Sequence, residues 1–315
     1  MLRRRLFDVW IVFLVVLTLG VVSSACDGSC GQNSTDIAKR PPRHLKPGSI
    51  TSILYLEDGD GVQNRATLYL PSPARPKTPV VILIHGGGWK VGVDARVLDN
   101  AARDLQSDGV AVWNVEYRRV GNGGGWATTF SDVAGAVDFV ADLRRRAPDL
   151  ALDNIVVAGH SAGGQLAVWA AARAIRPSEG PGPRPRVFPR LAVSLAGSLD
   201  MRLSAARSGN ARDVLGGMPD EVPDRYRRVD PMQRINPRVP VVIVHSTDDQ
   251  VVPFSVANAY QRADADGRVL VVPLLSGGHA GPIVGAGWQQ SRRVILAATY
   301  GGFEAAFRLQ TTAPA

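Results

Sequence analysis

From about Ser49 onward, short runs of β-branched and aliphatic residues alternate with longer amphipathic stretches, and this alternation constrains the fold more than any other feature. Val80–Ile84, Val110–Val115, Ile155–Val157, Leu191–Leu195, Val241–Val244 and Val269–Val272 read as strands apolar on both faces. Helical segments are expected between them at about 95–107, 129–146, 162–175, 255–265 and 288–300. In the second of these, Phe130, Val133, Val137, Val140 and Leu143 fall on one face. Strand then helix, repeated, specifies an α/β fold: a mostly parallel central sheet with helices on both faces. A leading hairpin is expected from Ile50 to Leu56 and Ala66 to Leu70, joined through Asp58-Gly59-Asp60-Gly61. Two stretches break the pattern. Residues 177–190, with Pro177, Pro181, Pro183, Pro185 and Pro189, read as an irregular surface loop; residues 200–238, rich in Arg, Asp and Pro, read as a small excursion over the strand ends. One domain is expected over 49–315.

With 45% hydrophobic residues, the chain is too apolar to be disordered, and it lacks the several long apolar runs of a polytopic membrane protein. A net charge of +8 raises the question of a nucleic-acid partner. The basicity is nearly all arginine and is scattered along the sequence, the only lysines being Lys39, Lys46, Lys77 and Lys90. Arg144-Arg145-Arg146 falls where a helix should end and complements its dipole. These charges describe a solvated surface, and no nucleic-acid partner is expected.

Residues 1–25 read as an export signal: Arg3-Arg4-Arg5, an apolar run from Val9 to Val22, then Ser23-Ser24-Ala25 before Cys26. Val22-Ser23-Ser24-Ala25-Cys26 resembles a bacterial lipoprotein cleavage site, with Cys26 lipidated and the chain attached to a membrane; Ser23 stands where such signals usually carry Leu or another aliphatic residue. Secretory cleavage and an uncleaved anchor are the alternatives. Without residues 1–25, which hold Arg3, Arg4, Arg5 and Asp8, the charge falls from +8 to +6. Cys26 and Cys30 are the only cysteines, and they fit a local disulfide or a lipidated Cys26 beside a free Cys30 better than a metal site. Residues 26–48 are polar and patternless, as in a flexible tether.

Gly159-His160-Ser161-Ala162-Gly163 has the form GxSxG, which arises by chance in roughly 0.2 chains of this composition. Its setting carries more information: the strand Ile155–Val157 precedes it and an alanine-rich helix follows, the strand–turn–helix of a nucleophile elbow with Ser161 at its apex. His85-Gly86-Gly87-Gly88-Trp89 follows the strand Val80–Ile84, and HGGG occurs by chance in only about 0.005 such chains. Its glycines can turn backbone N–H groups toward a ligand, so Gly87 and Gly88, with the amide of Ala162, are candidate oxyanion donors. A phosphate loop is the competing reading, but the segment lacks the P-loop lysine and the dinucleotide spacing.

Of the five histidines, His44 lies in the tether, His85 opens the glycine loop, His160 abuts Ser161, and His245 ends a strand. His279, in Ser276-Gly277-Gly278-His279-Ala280-Gly281 after the last strand, fits the order nucleophile, acid, histidine. For the acid, His245-Ser246-Thr247-Asp248-Asp249-Gln250-Val251-Val252-Pro253 sits at a strand's carboxyl end and resembles HGxxDxxVP, which selects Asp249. Asp248 and Asp200 are the alternatives. Trp89, Trp126 and Trp288 are candidates to line an acyl or aryl pocket, with core packing as the other reading.

Together these residues resemble the α/β-hydrolase superfamily. HGGGW, Glu116-Tyr117-Arg118-Arg119 before Gly123-Gly124-Gly125-Trp126, and His160-Ser161-Ala162-Gly163-Gly164 resemble its branch of BD-FAE-like esterases and arylformamidases. The resemblance implies a serine hydrolase acting on small-molecule carboxylic esters through Ser161, His279 and Asp249, without a metal or organic cofactor. Arylformamides or peptides as C–N substrates are alternatives, as is a non-catalytic binding protein on the same scaffold.

Overall fold

The computed structural model describes residues 44–311, apart from 57, 58, 60, 174–179 and 183. The export signal, Cys26, Cys30 and most of the tether lie outside the described residues. The folded part reaches further back than residue 49: the amide of Leu45 donates to Arg146 O at 2.8 Å and its side chain packs on the core.

Eight strands form one sheet: β1 (Ile50–Leu54), β2 (Arg65–Tyr69), β3 (Thr78–Ile84), β4 (Ala111–Val115), β5 (Leu150–His160), β6 (Leu191–Leu195), β7 (Val241–Ser246) and β8 (Val269–Leu274). Their order is β1-β2-β4-β3-β5-β6-β7-β8. β1 and β2 form the expected antiparallel pair, β2 joins β4 antiparallel, and every pairing from β4 to β8 is parallel. The two-residue period divides each strand between two cores. Along β3, Ile82 and Ile84 face α2 (Thr128–Asp138) and α4 (Ala162–Ala172), while Val81 and Leu83 face α1 (Asp99–Ser107) and α9 (Gly285–Thr311). α8 (Ser255–Ala263) adds Val256, Ala257 and Tyr260 to the first core.

Some boundaries differ from the sequence expectation. β5 begins at Leu150, where it pairs with Thr78 before a register shift, so the Leu-Ala-Leu stretch ahead of Ile155 is strand and not loop. The helix expected over 129–146 divides into α2 and α3 (Val140–Leu143). At the division, buried Asp138 binds Arg173 at 3.0 Å and accepts the amides of Arg186 and Val187, which fastens the proline-rich stretch to the body. α9 runs past residue 300 and leaves helical geometry at Gly302 (φ 72°, ψ −163°).

The excursion after β6 is helical: α5 (Met201–Ser208), α6 (Asn210–Leu215) and α7 (Pro223–Val229). Asp200 caps α5 by accepting the amide of Leu203, and Gly209, at φ 72°, turns the chain into α6. Buried Asp230 accepts the amides of Met201 and Met232, tying the end of the excursion to its start. Desolvation pushes its carboxyl up to about 6, against the pull of these hydrogen bonds.

Candidate active site

The site forms at the carboxyl ends of the parallel strands. β5 ends at His160 and α4 begins at Ala162, so Ser161 alone makes the turn, at φ 56° and ψ −119°. A non-glycine residue with positive φ is costly and persists where its surroundings enforce it. The surroundings here are backbone. A Cβ at Gly163 would overlap Ile84 O, and one at Gly159 would overlap Gly163 O, so only glycine lets the elbow close against β3. The amide of Ser161 donates to Leu195 O at 2.9 Å, and its carbonyl accepts from Gly164 and Ser198.

The structure brings Ser161, His279 and Asp249 together. Ser161 Oγ lies 2.8 Å from His279 Nε2, and His279 Nδ1 lies 2.8 Å from Asp249 Oδ2. A carboxylate only accepts, so Nδ1 carries the proton and Nε2 is free to accept from the serine hydroxyl. Burial pushes the Asp249 carboxyl up, but the hydrogen bond and charge of His279, with the amides of Val252 and Val251, outweigh it and hold the group below its ordinary value. Of the two alternative acids, Asp200 is the cap of α5, and Asp248 accepts the amides of Gly277 and Gly278 at 3.2 and 2.9 Å. Asp248 therefore shapes the histidine loop without touching the imidazole.

Two further histidines support this arrangement in ways the sequence did not reveal. His160 Nε2 donates to the carbonyl of His279 at 2.9 Å, and desolvation lowers its pKa to about 4, so it is neutral near pH 7. Buried His245 places Nε2 3.1 Å from Asp249 Oδ2 and 2.9 Å from Val252 O. Both neighbours are acceptors, so the proton sits on Nε2 and Asp249 receives two imidazole N–H groups. His245 Nδ1 is buried without a partner.

The glycine loop owes its shape to the Glu116-Tyr117-Arg118-Arg119 segment. Tyr117 stacks on His85 with ring centroids 4.4 Å apart and donates to His85 O at 2.8 Å. Glu116 binds His85 Nε2 at 3.2 Å and accepts the amides of Ala95 and Tyr117. Arg119 bridges Glu116 at 2.7 Å and donates to Val93 O, while Arg118 anchors the segment on Asp132 of α2. Gly87 and Gly88 take φ values of 103° and 63°. Their amides have no backbone acceptor among the described residues, and the amide of Ala162 is the first of α4, where helix N–H groups lack internal partners. Gly87 and Gly88 line the same cavity as Ser161, at the start of α4, where a helix N-terminus favours negative charge.

A cavity of about 330 Å³ opens over Ser161 and His279. Trp89 lines it, buried, with Nε1 donating to Gln165 at 3.1 Å. Trp126 and Trp288 do not. Trp126 packs on Phe130 under Arg225, and Trp288 joins the opposite core and donates to Asp104 at 2.7 Å. Trp126 sits in the turn ahead of α2 and Trp288 on α9, and neither is among the residues that line the cavity. The excursion supplies Leu203, Ser204, Arg207, Ser208 and Asn210 to the wall.

An eight-stranded, mostly parallel sheet with a serine on the turn after β5, an acid after β7 and a histidine after β8 defines an α/β-hydrolase fold. Solved structures agree. A truncated carbohydrate esterase from gut microbiota superposes with a TM-score of 0.67 at 18% identity, over 84% of this chain and 99% of that one. Native esterase 2 of Thermogutta terrifontis gives 0.64 at 20% identity, over 85% and 98%. A bifunctional GH43-CE protein of Bacteroides eggerthii gives 0.67 at 22% identity, over 79% of this chain; the match spans 38% of that protein's length. The chain belongs to the BD-FAE family, whose model matches residues 67–263. Curated proteins give no match.

Proposed function

We propose that the chain hydrolyses carboxylic esters of small molecules through an acyl-enzyme. The observation that carries this reading is the pair of 2.8 Å contacts joining Ser161 to His279 and His279 to Asp249 beneath an open cavity. His279 Nε2 takes the hydroxyl proton as Ser161 Oγ attacks the acyl carbon. The amides of Gly87, Gly88 and Ala162 hold the negative charge that develops on the carbonyl oxygen, and ionised Asp249 stabilises the imidazolium. The proton then passes from His279 to the departing alkoxide. A water molecule, deprotonated in turn by His279, releases the acid and restores Ser161. Several of the structural neighbours are esterases, which agrees with ester hydrolysis.

The test compares p-nitrophenyl esters with formylated anilines and peptides. Ester turnover exceeding amide turnover, and falling by about a millionfold in a folded Ser161→Ala variant, is expected; turnover that survives the substitution contradicts the reading. Export with lipidation of Cys26 is likewise a proposal, tested by lipid-label incorporation in cells and its loss in Cys26→Ser.

A further inference from the structure

The cavity wall is uneven in a way that specifies the acyl group. Val93 and Val97 enter from the segment after the glycine loop, Val251 from the loop between β7 and α8, and Ile283 from the turn after His279. Three separate loops thus bring aliphatic side chains to one opening. Three of these side chains are also well exposed: Val93 by 36%, Val97 by 50% and Val251 by 61%. Scattered single apolar residues on a surface need no explanation, but several converging on one concave site do. Deeper in the cavity, Val252, Pro253 and Val256 continue the aliphatic surface inward from Val251, and apart from the imidazoles of His160 and His279 the aromatic ring among the described lining residues is that of Trp89. The backbone gives the same feature a fixed place beside the oxyanion donors, since Val93 sits against Gly87, where a Cβ would come within 2.9 Å of it.

We infer that the acyl group of the substrate is an aliphatic chain, longer than acetyl, that runs from Ser161 over Val252 and Val256 to the exposed valines at the mouth. This rests on the ester-hydrolase reading and adds the substrate class to it. An acetyl group would leave the valines in water. A longer chain removes their surface and its own from water at once, and each CH2 so buried contributes in proportion to its area. Because the rim valines are about half exposed, their apolar surface is available to the substrate without a rearrangement of the fold.

The experiment measures kcat/KM of the full-length protein for p-nitrophenyl acetate, butyrate, hexanoate and octanoate, each below its critical micelle concentration. A second series holds the acyl group at acetyl and lengthens the alcohol. Both are repeated on the double variant Val97→Ser, Val251→Ser, whose changes lie on the surface, with fluorophosphonate labelling as a check that the site is intact. A rise of at least about tenfold from acetate to octanoate is expected, roughly threefold for each CH2 that reaches a valine. The octanoate-to-acetate ratio should fall about tenfold in the double variant. A ratio of one or less in the native protein, or one that the double variant retains, overturns the inference. So does a length dependence confined to the alcohol series, which would place the chain that the valines cover on the leaving group. If no ester is hydrolysed, acetate included, the parent reading fails and this one with it.

Discussion

Ser161 and His279 meet across 2.8 Å but are held by opposite means. The serine rides a turn whose shape is enforced by backbone against backbone, with glycines at 159 and 163 because no Cβ fits there. The histidine rides a glycine-rich loop after the edge strand β8, fixed by side chains reaching in from elsewhere: His160 to its carbonyl, Asp249 to its ring, and Asp248 to the amides of Gly277 and Gly278. The first arrangement is rigid and intolerant of substitution. The second is adjustable, since each support is one hydrogen bond among several, and losing one should weaken the site without dismantling it.

That contrast sets an order of expected effects. Gly163→Ala attacks the rigid side and should cost about 3 kcal/mol of stability or more, because the new Cβ overlaps Ile84 O and β3 cannot retreat. Chemical denaturation measures it; a stable, active variant would show that the elbow is softer than its packing implies.

His160 supplies a pH handle on the other side. Its pKa of about 4 when folded, against an ordinary value of 6.5, means the unfolded chain binds its proton more readily. Its contribution is therefore intact above about pH 6.5 and lost as the pH falls toward 4, by about 3 kcal/mol in all. His160→Gln, which keeps a donor for the His279 carbonyl but cannot titrate, should flatten that part of the stability profile relative to the native protein. Parallel profiles for the two proteins would refute this.

The difference between the two sides also explains what the sequence reveals. An elbow built on local sterics leaves a local signature, so GxSxG between a strand and a helix is readable, as are HGGG and the chain order that selects His279. Supports gathered from distant segments leave none. His160 and His279 are 119 residues apart, and nothing in either neighbourhood points to the other. The role of His245 depends on which nitrogen faces Asp249, which only coordinates reveal. Trp126 and Trp288 show the same limit: a tryptophan's place in the sequence does not say which way its ring faces. The strands read well because sheet burial writes a continuous apolar run. The break between α2 and α3 is not legible, because it is a single residue, Phe139, within an otherwise continuous amphipathic run.

Smaller effects should follow from the remaining supports. His245→Leu removes one of the two imidazole donors to Asp249 and should lower kcat about tenfold with KM little changed, while His245→Gln, which can still donate, recovers most of it. Equal losses in both variants would reduce His245 to a packing residue. Asp248→Ala frees the amides of Gly277 and Gly278 at an exposed position, and a decrease in kcat of about threefold is expected. A loss as large as that of Asp249→Ala would instead make Asp248 the acid of the site.

The central claim is that Ser161 is a nucleophile activated by His279. It is tested most directly by intact-protein mass spectrometry after exposure to a fluorophosphonate. One adduct, mapped to Ser161, absent from Ser161→Ala and strongly slowed in His279→Ala, is the predicted result. A folded native protein that takes no adduct, or takes it at another residue, would contradict the account.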